Sequence, residues 1–283
     1  MSEKIKDNIF ELQDVCFRYP DGSRGLEQCS LSIHSGSRTA VLGANGSGKT
    51  TLFLHFNAIL RPQSGTIVCS GNPLNYSRQN LHALRSRIGL VFQNPDSQLF
   101  SASVREDVSF GPLNQGINKQ TVRERVEEAL CSVGMIDCAE KPVHNLSHGQ
   151  KKRVCIAGVL AMQPDIMILD EPMAGLDHSM QNDLEILLQR LHADGMTILL
   201  ATHDIDFAYR WADRILLMDQ GQDVVSCTAA DLSKETEQLH ALSLGIPNVI
   251  QLHRLLAAKG LLPPGERQPL SFTELVGFLE QRL

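Results

Sequence analysis

The chain has 283 residues, of which 42% are hydrophobic and 20% are charged, and its formal net charge is −6. This length can hold one large domain, or one domain with a smaller appendage, and the composition is ordinary for a globular protein. The negative charge gives no support for a nucleic-acid-binding surface, because contacts to phosphates need an excess of positive charge. We therefore expect no nucleic-acid partner.

The seven cysteines are scattered and form no C-x-x-C pair. Neither a disulfide framework nor a zinc site is indicated, and a reducing cytoplasm fits this pattern best. The N-terminus is followed by no apolar core of signal-peptide length, and the longest apolar run, 154–162, is too short to cross a bilayer. We expect no direct membrane span.

The first third of the chain reads as strands with one helix. Apolar and polar side chains alternate as in strands, and a helical pattern occupies 50–60. Pro20 and Gly22 mark a turn, and Pro62 and Gly65 mark a break. The predicted strands are 9–19, 26–33, 38–42 and 66–69.

The middle of the chain changes to a helical pattern. A buried strand at 87–92 is followed by helices, with loops expected at Gly111–Pro112 and at Pro142. The predicted helices are 104–108, 119–133 and 146–162. We interpret the segment from about 94 to 163 as a helical subdomain inserted into a mostly parallel sheet.

The last third begins with two apolar strands that flank a helix. Their near-continuous apolar character is typical of parallel strands covered on both faces. A terminal hairpin is then expected around Gln220 and Gly221, and helices follow from residue 229, broken at 245–247 and 263–265. The predicted elements are strands 165–169 and 196–201, helix 179–193 and hairpin strands 214–218 and 223–226.

The segment 43–50 (GANGSGKT) is a glycine-rich turn between a strand and a helix, which is the context that a phosphate-binding loop requires. Its glycines allow the backbone N–H groups to point at an anion, and the helix that follows adds a partial positive charge. Lys49 can then reach the β- and γ-phosphates, and the Thr50 hydroxyl can bind Mg²⁺. The alternative is a chance glycine turn.

Asp170 and Glu171 follow the apolar strand 166–169, so two carboxylates lie at the carboxyl end of a strand, where α/β sheets bind ligands. The first carboxylate is placed to hold Mg²⁺, and the second to orient or deprotonate a water molecule. A solvated turn is the alternative.

A second anion-binding helix start lies at 146–153 (LSHGQKKR). Ser147 is a favourable N-cap, and Gly149 lets a ligand approach the backbone closely. A chain with one nucleotide-binding loop needs only one phosphate site for its own nucleotide. We therefore infer that the helix start at 146–153 contacts the nucleotide bound by a second copy. An ordinary capped amphipathic helix remains the alternative.

Together these motifs resemble those of the ATPase subunits of ABC transporters, over about residues 9–228. The resemblance implies an ABC-type α/β fold with a mostly parallel core sheet, an antiparallel β subdomain and a helical subdomain, followed by a small C-terminal helical extension. The implied domains are 1–230 and 231–283. The motifs are 43–50, Gln93, 146–150 (LSHGQ), 169–172 (LDEP), 174–177 (AGLD) and 202–204 (THD).

The resemblance further implies a head-to-tail homodimer with ATP and Mg²⁺ at its interface. Glu171 matches the catalytic base, His203 the γ-phosphate sensor, and Gln93 the residue that links Mg²⁺ and the attacking water to the transmembrane partner. The implied magnesium ligands are Thr50, Gln93 and Asp170. The implied nucleotide-binding residues are Tyr19, which matches an adenine-stacking aromatic, Asn45, Gly46, Ser47, Gly48, Lys49, Thr50 and Thr51, with Ser147, Gly149, Gln150 and the dimer-communication residue Asp177 facing the partner's nucleotide.

Two positions depart from the family pattern. His148 replaces a more usual glycine, and Met173 stands where a small hydroxyl residue is common. Neither departure removes a phosphate ligand.

A finer resemblance, carried by segments 92–100 (FQNPDSQLF), 110–114 (FGPLN) and 150–158 (QKKRVCIAG), is to the ATPases of energy-coupling-factor transporters. Segment 146–153 is especially similar to the cobalt-uptake subunit, and 245–252 (GIPNVIQL) resembles the C-terminal extension of that subfamily. This finer resemblance implies work at the cytoplasmic face of the cell membrane with an integral-membrane scaffold subunit and a metal-specific membrane subunit, importing cobalt or nickel. The alternatives are an ATPase that serves vitamin-specific subunits, and a soluble ABC ATPase without a membrane partner.

Two further features of the sequence each allow two interpretations. His144 and His148 lie one helical turn apart, but no third or fourth ligand is positioned, so a capping turn is favoured over a metal site. The apolar stripe of the C-terminal segment either packs on its own domain or contacts a second copy. Its members are Val249, Ile250, Leu252, Leu255 and Leu256.

Overall fold

In a computed structural model, residues 7–262 and 267–281 are described. They form two β-sheets with helices packed on and beside them. The N-terminal residues 1–6 and the helix break predicted at 263–265 lie outside the described residues. Nothing in the described part of the chain forms a helix both long enough and apolar enough to cross a membrane.

The strands are β1 (Asn8–Arg18), β2 (Arg24–Cys29), β3 (Ser32–His34), β4 (Arg38–Leu42), β5 (Ser64–Cys69), β6 (Asn72–Pro73), β7 (Ile88–Val91), β8 (Ile166–Asp170), β9 (Thr197–Thr202), β10 (Arg214–Asp219) and β11 (Gln222–Thr228). The α-helices are α1 (Lys49–Phe56), α2 (Arg78–Arg87), α3 (Val104–Asn114), α4 (Lys119–Ser132), α5 (His148–Leu160), α6 (His178–Ala193), α7 (Ile205–Trp211), α8 (Thr236–Ala241), α9 (Asn248–Ala258) and α10 (Phe272–Glu280). Short 3₁₀ helices cover Pro95–Ser97, Ile136–Cys138, Val143–Asn145 and Ala229–Lys234.

The larger sheet has the strand order β11-β10-β4-β9-β8-β7 and is parallel except for β11, which pairs antiparallel with β10. Every residue of β8 and β9 is buried, because helices and the second sheet cover the two faces. Along β8, Ile166 and Ile168 pack into one core cluster, whereas Met167 and Leu169 pack into the other. The predicted parallel α/β core is confirmed.

The smaller sheet is antiparallel, with the order β2-β1-β5-β6, and β3 also pairs with β1. The single strand predicted at 26–33 is therefore wrong. Gln28 adopts a positive φ of 49°, and the chain leaves β2 before it returns to β1 as β3. This sheet packs on α1, where the rings of Phe10 and Phe56 stack with centroids 4.2 Å apart.

The helices differ from the sequence prediction in several ways. Helix α3 continues through Gly111 and Pro112 instead of ending in a loop there, since Pro112 lies in the last turn of the helix and is buried. Helix α1 ends at Phe56 rather than at residue 60, because Ala58 adopts a positive φ of 50°. Helix α2 was not predicted; none of its residues is buried, although Leu84 packs against one of the core clusters.

The C-terminal segment is helical, as predicted. Helix α8 ends at Ala241, and α9 begins directly after Pro247, so the break predicted at 245–247 is confirmed. Val249 and Ile250 are buried and Leu256 packs on the core, whereas Leu252 and Leu255 are exposed. The apolar stripe is therefore only partly used within the chain.

The topology brings the carboxyl ends of β4, β8 and β9 to one edge of the larger sheet. Leu42 pairs with Thr202, and Ala201 pairs with Asp170. The phosphate-binding loop, the two carboxylates and His203 follow these three strands and lie at this edge, as Asp170 and Glu171 were predicted to do.

Candidate active site

The loop between β4 and α1 has the geometry of a phosphate-binding loop. Gly48 caps α1 with a positive φ of 104°, and a Cβ atom there would lie 2.7 Å from the Gly25 carbonyl oxygen. Only glycine fits this position without strain. The neighbouring Ser47 hydroxyl is buried and has no hydrogen-bond partner among the described residues, which leaves it available to a ligand.

Lys49 is the first residue of α1 and is only 7% exposed. Its Nζ donates to the carbonyl oxygens of Gly43, at 2.7 Å, and Ala44, at 3.0 Å. Burial lowers the pKa of this ammonium group, and the nearby charges of Glu171 and Asp170 act in the opposite direction. The loop thus holds a buried cation that an anionic phosphate would stabilise.

The Thr50 hydroxyl donates to Asp170 Oδ2 at 2.5 Å, which joins the start of α1 to the end of β8. Burial raises the pKa of the Asp170 carboxyl, while the hydrogen bond from Thr50 and the charges of Lys49 and Lys152 oppose this effect. Gln93 is exposed and lines the same cleft. Hydroxyl, carboxylate and amide oxygens are the ligand types that Mg²⁺ prefers, so this donor set fits a magnesium ion.

Glu171, the predicted catalytic base, contacts His203, the predicted γ-phosphate sensor. Its Oε2 lies 3.0 Å from Nδ1 of His203, with the glutamate side chain 9% exposed and the histidine side chain 71% exposed. Glu171 also has a positive φ of 47°, an unusual conformation for a residue with a side chain. A carboxylate held in this way is buried, but its histidine partner faces solvent.

The loop residues 45–51, Gln93, Asp170 and Glu171 line a cleft of about 340 Å³, whereas His203 is not among its lining residues. At one end the half-buried Tyr19 ring lies next to Phe17, and the Tyr19 hydroxyl lies 2.9 Å from Thr51 Oγ1. The structure brings together most of the predicted nucleotide and magnesium residues of one chain. They are Tyr19, Asn45, Gly46, Ser47, Gly48, Lys49, Thr50, Thr51, Gln93, Asp170 and Glu171.

The sequence interpretation missed two residues of this region. Arg24 lines the cleft beside Tyr19, and its position at the start of β2, across the 20–22 turn from Tyr19, was the available signal. Lys152 reaches the turn that follows Glu171 from α5. Its sequence signal was ambiguous, because three consecutive basic residues usually form a solvated helix face.

The four residues predicted to face a partner's nucleotide do not line this cleft. Ser147 and Gln150 form a capping box at the start of α5, with Gln150 N donating to Ser147 Oγ at 3.3 Å and Ser147 N donating to Gln150 Oε1 at 3.0 Å. Asp177 caps α6 by accepting from Met180 N at 2.8 Å.

Gly149 is buried, and a Cβ atom there would lie 2.7 Å from Met180 Sδ. This glycine therefore also permits the start of α5 to pack against the start of α6. His144 and His148 are both exposed, and no cluster of three or more His, Cys, Asp or Glu side chains suited to a metal ion occurs in residues 7–262 and 267–281.

Comparison with known proteins places this arrangement in a family. A family model described as "ABC transporter" matches residues 26–174. The energy-coupling factor transporter ATP-binding protein EcfA of Methanocaldococcus jannaschii is 45% identical over 255 residues, which are 90% of this chain and 91% of that protein.

Two solved structures share the fold. The cbiO1 protein from Clostridium perfringens, part of the ABC transporter complex cbiONQ, is 42% identical with a TM-score of 0.74, and the match covers 88% of this chain and 100% of that one. The dimeric ATP-binding cassette MJ0796, in a post-hydrolysis state bound to ADP and Pi, is 27% identical with a TM-score of 0.72, over 78% of this chain and 98% of that one. The phosphate-binding loop, the paired carboxylates and these relatives together show that the chain belongs to the ABC transporter family, as an ATPase of the energy-coupling-factor type.

Proposed function

We propose that the chain energises a membrane transporter that imports cobalt or nickel, and that two copies bind ATP head to tail at the cytoplasmic face of the membrane. The observation that carries this proposal is the division of the site. The cleft contains the phosphate-binding loop and both carboxylates, whereas the capped start of α5 lies outside it.

The residues of the cleft have distinct roles in hydrolysis. Lys49 exchanges its two carbonyl contacts for oxygens of the β- and γ-phosphates, and Tyr19 stacks on the adenine ring. Thr50, Asp170 and Gln93 would hold Mg²⁺, which would neutralise charge on the phosphate oxygens. Glu171 accepts a proton from the attacking water, and His203 orients Glu171 and contacts the γ-phosphate.

The start of α5 is suited to a phosphate bound by another copy. The Ser147 hydroxyl accepts a hydrogen bond as the helix cap, and its own proton remains free to donate to a phosphate oxygen. The N–H groups of the first helical turn, Gly149 among them, add the positive end of the helix dipole. Gln150 and Asp177 complete the surface presented to the second copy.

An apolar groove next to Gln93 is our proposed docking site for the integral-membrane scaffold. The groove encloses about 260 Å³ and is lined in part by Ile59, Phe100 and Phe110. Phe100 and Phe110 are 65% and 49% exposed and meet edge to face, with centroids 4.8 Å apart. Because this groove adjoins the segment that follows Gln93, a helix of the scaffold bound there would sense the state of the cleft.

The C-terminal extension supplies a further apolar surface. Leu252, Leu255, Leu261, Phe272 and Val276 are exposed on or beside α9 and α10. We propose that this surface contacts the same surface of the second copy and keeps the two chains together when no nucleotide is bound. Light scattering of a Leu255→Glu variant without nucleotide tests this, since a dimer of unchanged stability would contradict it.

A vitamin-specific transporter is the second candidate. Relatives that match most of this chain are named energy-coupling factor transporter ATP-binding proteins, and that name specifies no transported substrate. The resemblance of segment 146–153 to the cobalt-uptake subunit favours the metal. A soluble ABC ATPase is the least favoured alternative, since the exposed apolar groove would then have no partner.

Uptake into proteoliposomes tests the proposal. The chain is purified with the membrane subunits with which it assembles, and accumulation of radioactive cobalt, nickel and a panel of vitamins is measured with and without ATP. We expect ATP-dependent accumulation of one metal, abolished when the complex carries Glu171→Gln. Accumulation of a vitamin instead would establish the second candidate.

A further inference from the structure

Lys152, in the second turn of α5, has all three of its ammonium protons matched to backbone carbonyls. The side chain is buried, with the residue 2% exposed. Its Nζ donates to the carbonyl oxygens of Glu171 at 2.9 Å, Pro172 at 3.1 Å and Ala174 at 2.6 Å. A lysine ammonium has three donors and no acceptor, so this arrangement uses its full hydrogen-bonding capacity.

The three carbonyls belong to the turn that connects Glu171, at the end of β8, with Asp177, the N-cap of α6. Glu171 and Pro172 are buried, so carbonyl oxygens left unpaired there would carry a desolvation cost. The positive φ of Glu171 adds local backbone strain, which persists only when surrounding contacts hold it. Within the turn itself, Ala174 N donates to Glu171 O at 3.2 Å. The lysine thus holds the carbonyls of Glu171, Pro172 and Ala174, while Gln181 Nε2 donates to those of Met173 and Leu176 further along the turn, at 3.3 and 3.2 Å.

The same helix carries the surface that we propose contacts the partner's triphosphate. Ser147 caps α5 one and a half turns before Lys152. The adjacent Lys151 points elsewhere, with its Nζ 2.6 Å from Asp96 Oδ1, in the 3₁₀ turn that follows Gln93. Because Ser147 and Lys152 belong to the same helix, a displacement at the start of α5 would be transmitted through Lys152 to the backbone carbonyl of Glu171.

We propose that Lys152 is a positioning residue, which holds the Glu171 carboxylate in its reactive place and couples that place to the contact between α5 and the partner's ATP. Each chain then links the two ATP sites of the dimer, because its α5 serves one site and its Glu171 serves the other. This inference rests on the proposed function, in which Glu171 is the base.

Steady-state hydrolysis by the purified full chain tests the proposal. Lys152→Met removes the donors and keeps a side chain of similar length, and we expect kcat to fall by about tenfold or more, since small displacements of a catalytic group are costly. The KM for ATP should change by less than about twofold, because Lys152 is not among the residues that line the proposed nucleotide cleft. Lys152→Gln, which retains N–H donors, should restore part of kcat.

Lys151→Met is the matched control, since it removes one ammonium group from the same helix turn but leaves the three carbonyl contacts in place. Its kcat should stay within about threefold of the wild-type value. Equal losses in the two methionine variants would overturn the proposal, as would a Lys152→Met variant with the wild-type kcat.

The Glu171→Gln background separates positioning from general destabilisation. If Lys152 acts through Glu171, adding Lys152→Met to Glu171→Gln should leave the residual single-turnover rate unchanged within about twofold. A further large drop would show a general structural role and overturn the proposal. Where Lys152→Met does not fold, as judged by thermal unfolding, Lys152→Gln replaces it in both backgrounds.

The same data distinguish the two levels of inference. Wild-type hydrolysis by Glu171→Gln alone would reject the proposed base, which is the part of the proposed function on which the role of Lys152 rests. Loss of hydrolysis in Glu171→Gln together with normal hydrolysis in Lys152→Met would reject only the role of Lys152.

Discussion

At the scale of single residues, the site depends on a few side chains whose environment is set by backbone geometry. Glu171 combines a buried carboxylate, a positive φ and a solvent-facing histidine partner. Among the described residues, the Lys49 ammonium group donates only to carbonyl oxygens of its own loop. Both groups are therefore held ready for a substrate that completes their contacts.

Replacing Glu171 with glutamine should separate binding from hydrolysis. Loss of a general base typically lowers the rate by about a hundredfold or more, while the phosphate-loop contacts survive. We expect hydrolysis in Glu171→Gln to be nearly abolished, with ATP affinity within about threefold of the wild-type value. A phosphate-release assay and a fluorescent-nucleotide titration measure the two quantities, and a wild-type hydrolysis rate would reject the assignment.

Replacing Lys49 with alanine should instead weaken nucleotide binding itself. A charge-assisted hydrogen bond contributes about 1.5–3 kcal/mol, so ATP should bind about tenfold to a hundredfold more weakly. Lys119→Ala, which removes a cation from the exposed start of α4, is the control and should leave the affinity unchanged. Equal affinities of Lys49→Ala and wild type would contradict the proposed contact.

Lys49, Asp170 and Glu171 could be predicted from the sequence because each belongs to a local motif. Arg24 and Lys152 were both missed, for different reasons. Arg24 lies across the 20–22 turn from Tyr19, a local signal that the sequence interpretation did not use. Lys152 reaches across from α5 to a turn about 20 residues further along the chain, and no local spacing encodes that contact.

At the scale of elements, the larger sheet was predictable and its connections were not. Strands β8 and β9 are apolar throughout, and burial on both faces requires this. Helix α2 consists mostly of polar residues and buries none of them completely, so its apolar signal in the sequence was weak. The break between β2 and β3 depends on a local turn, whereas the alternation of side chains continued through it.

An ion pair joins the starts of two neighbouring parallel strands. Arg38 on β4 donates from its backbone N–H and its guanidinium group to Asp213, which directly precedes β10. Burial alone would raise the pKa of Asp213, but the side-chain and backbone hydrogen bonds from Arg38 outweigh it, so the pKa lies below its ordinary value. The carboxylate therefore stays charged in the folded state at a pH at which it would be protonated in the unfolded chain.

The pH dependence of stability follows from this lowered pKa. The contribution of Asp213 is complete above the unfolded pKa of about 3.9 and is lost as the pH falls through the lower folded pKa. Because the pair is partly exposed, we expect Asp213→Asn to lower the free energy of unfolding by about 1 kcal/mol at neutral pH, a difference that vanishes in acid.

Urea unfolding of the two proteins over a range of pH values measures this difference. Asp165→Asn is the control, because its pair with Arg87 is more exposed, at 59% and 50% of the side chains. Asp165→Asn should lower the free energy of unfolding by less than Asp213→Asn does. A difference between wild type and Asp213→Asn that does not change from neutral to acid pH would contradict the pKa argument.

At the scale of the whole molecule, the residues of one proposed active site are distributed over two surfaces. The cleft provides the phosphate-binding loop and the carboxylates, and the start of α5 provides Ser147 and free helix N–H groups. The sequence predicted this division, because it contains two candidate phosphate-binding helix starts and only one nucleotide loop. The fold adds that the two starts lie apart within one chain.

A mixture of two inactive variants tests whether the site is shared between chains. In a mixed dimer of Lys49→Ala and Ser147→Ala chains, one site carries both defects and the other carries none. Each variant alone should be nearly inactive, whereas an equal mixture should recover about a quarter of the wild-type rate, because half of the dimers are mixed and each has one intact site. The control is the double variant Lys49→Ala/Ser147→Ala mixed with an equal amount of wild-type chains, in which only the wild-type homodimers have intact sites. Its rate should be about a quarter of that of an all-wild-type sample, and not the half expected if each chain completes its own site. Phosphate release that does not rise when the single variants are combined would mean that each chain completes its own site, and the head-to-tail arrangement would be wrong.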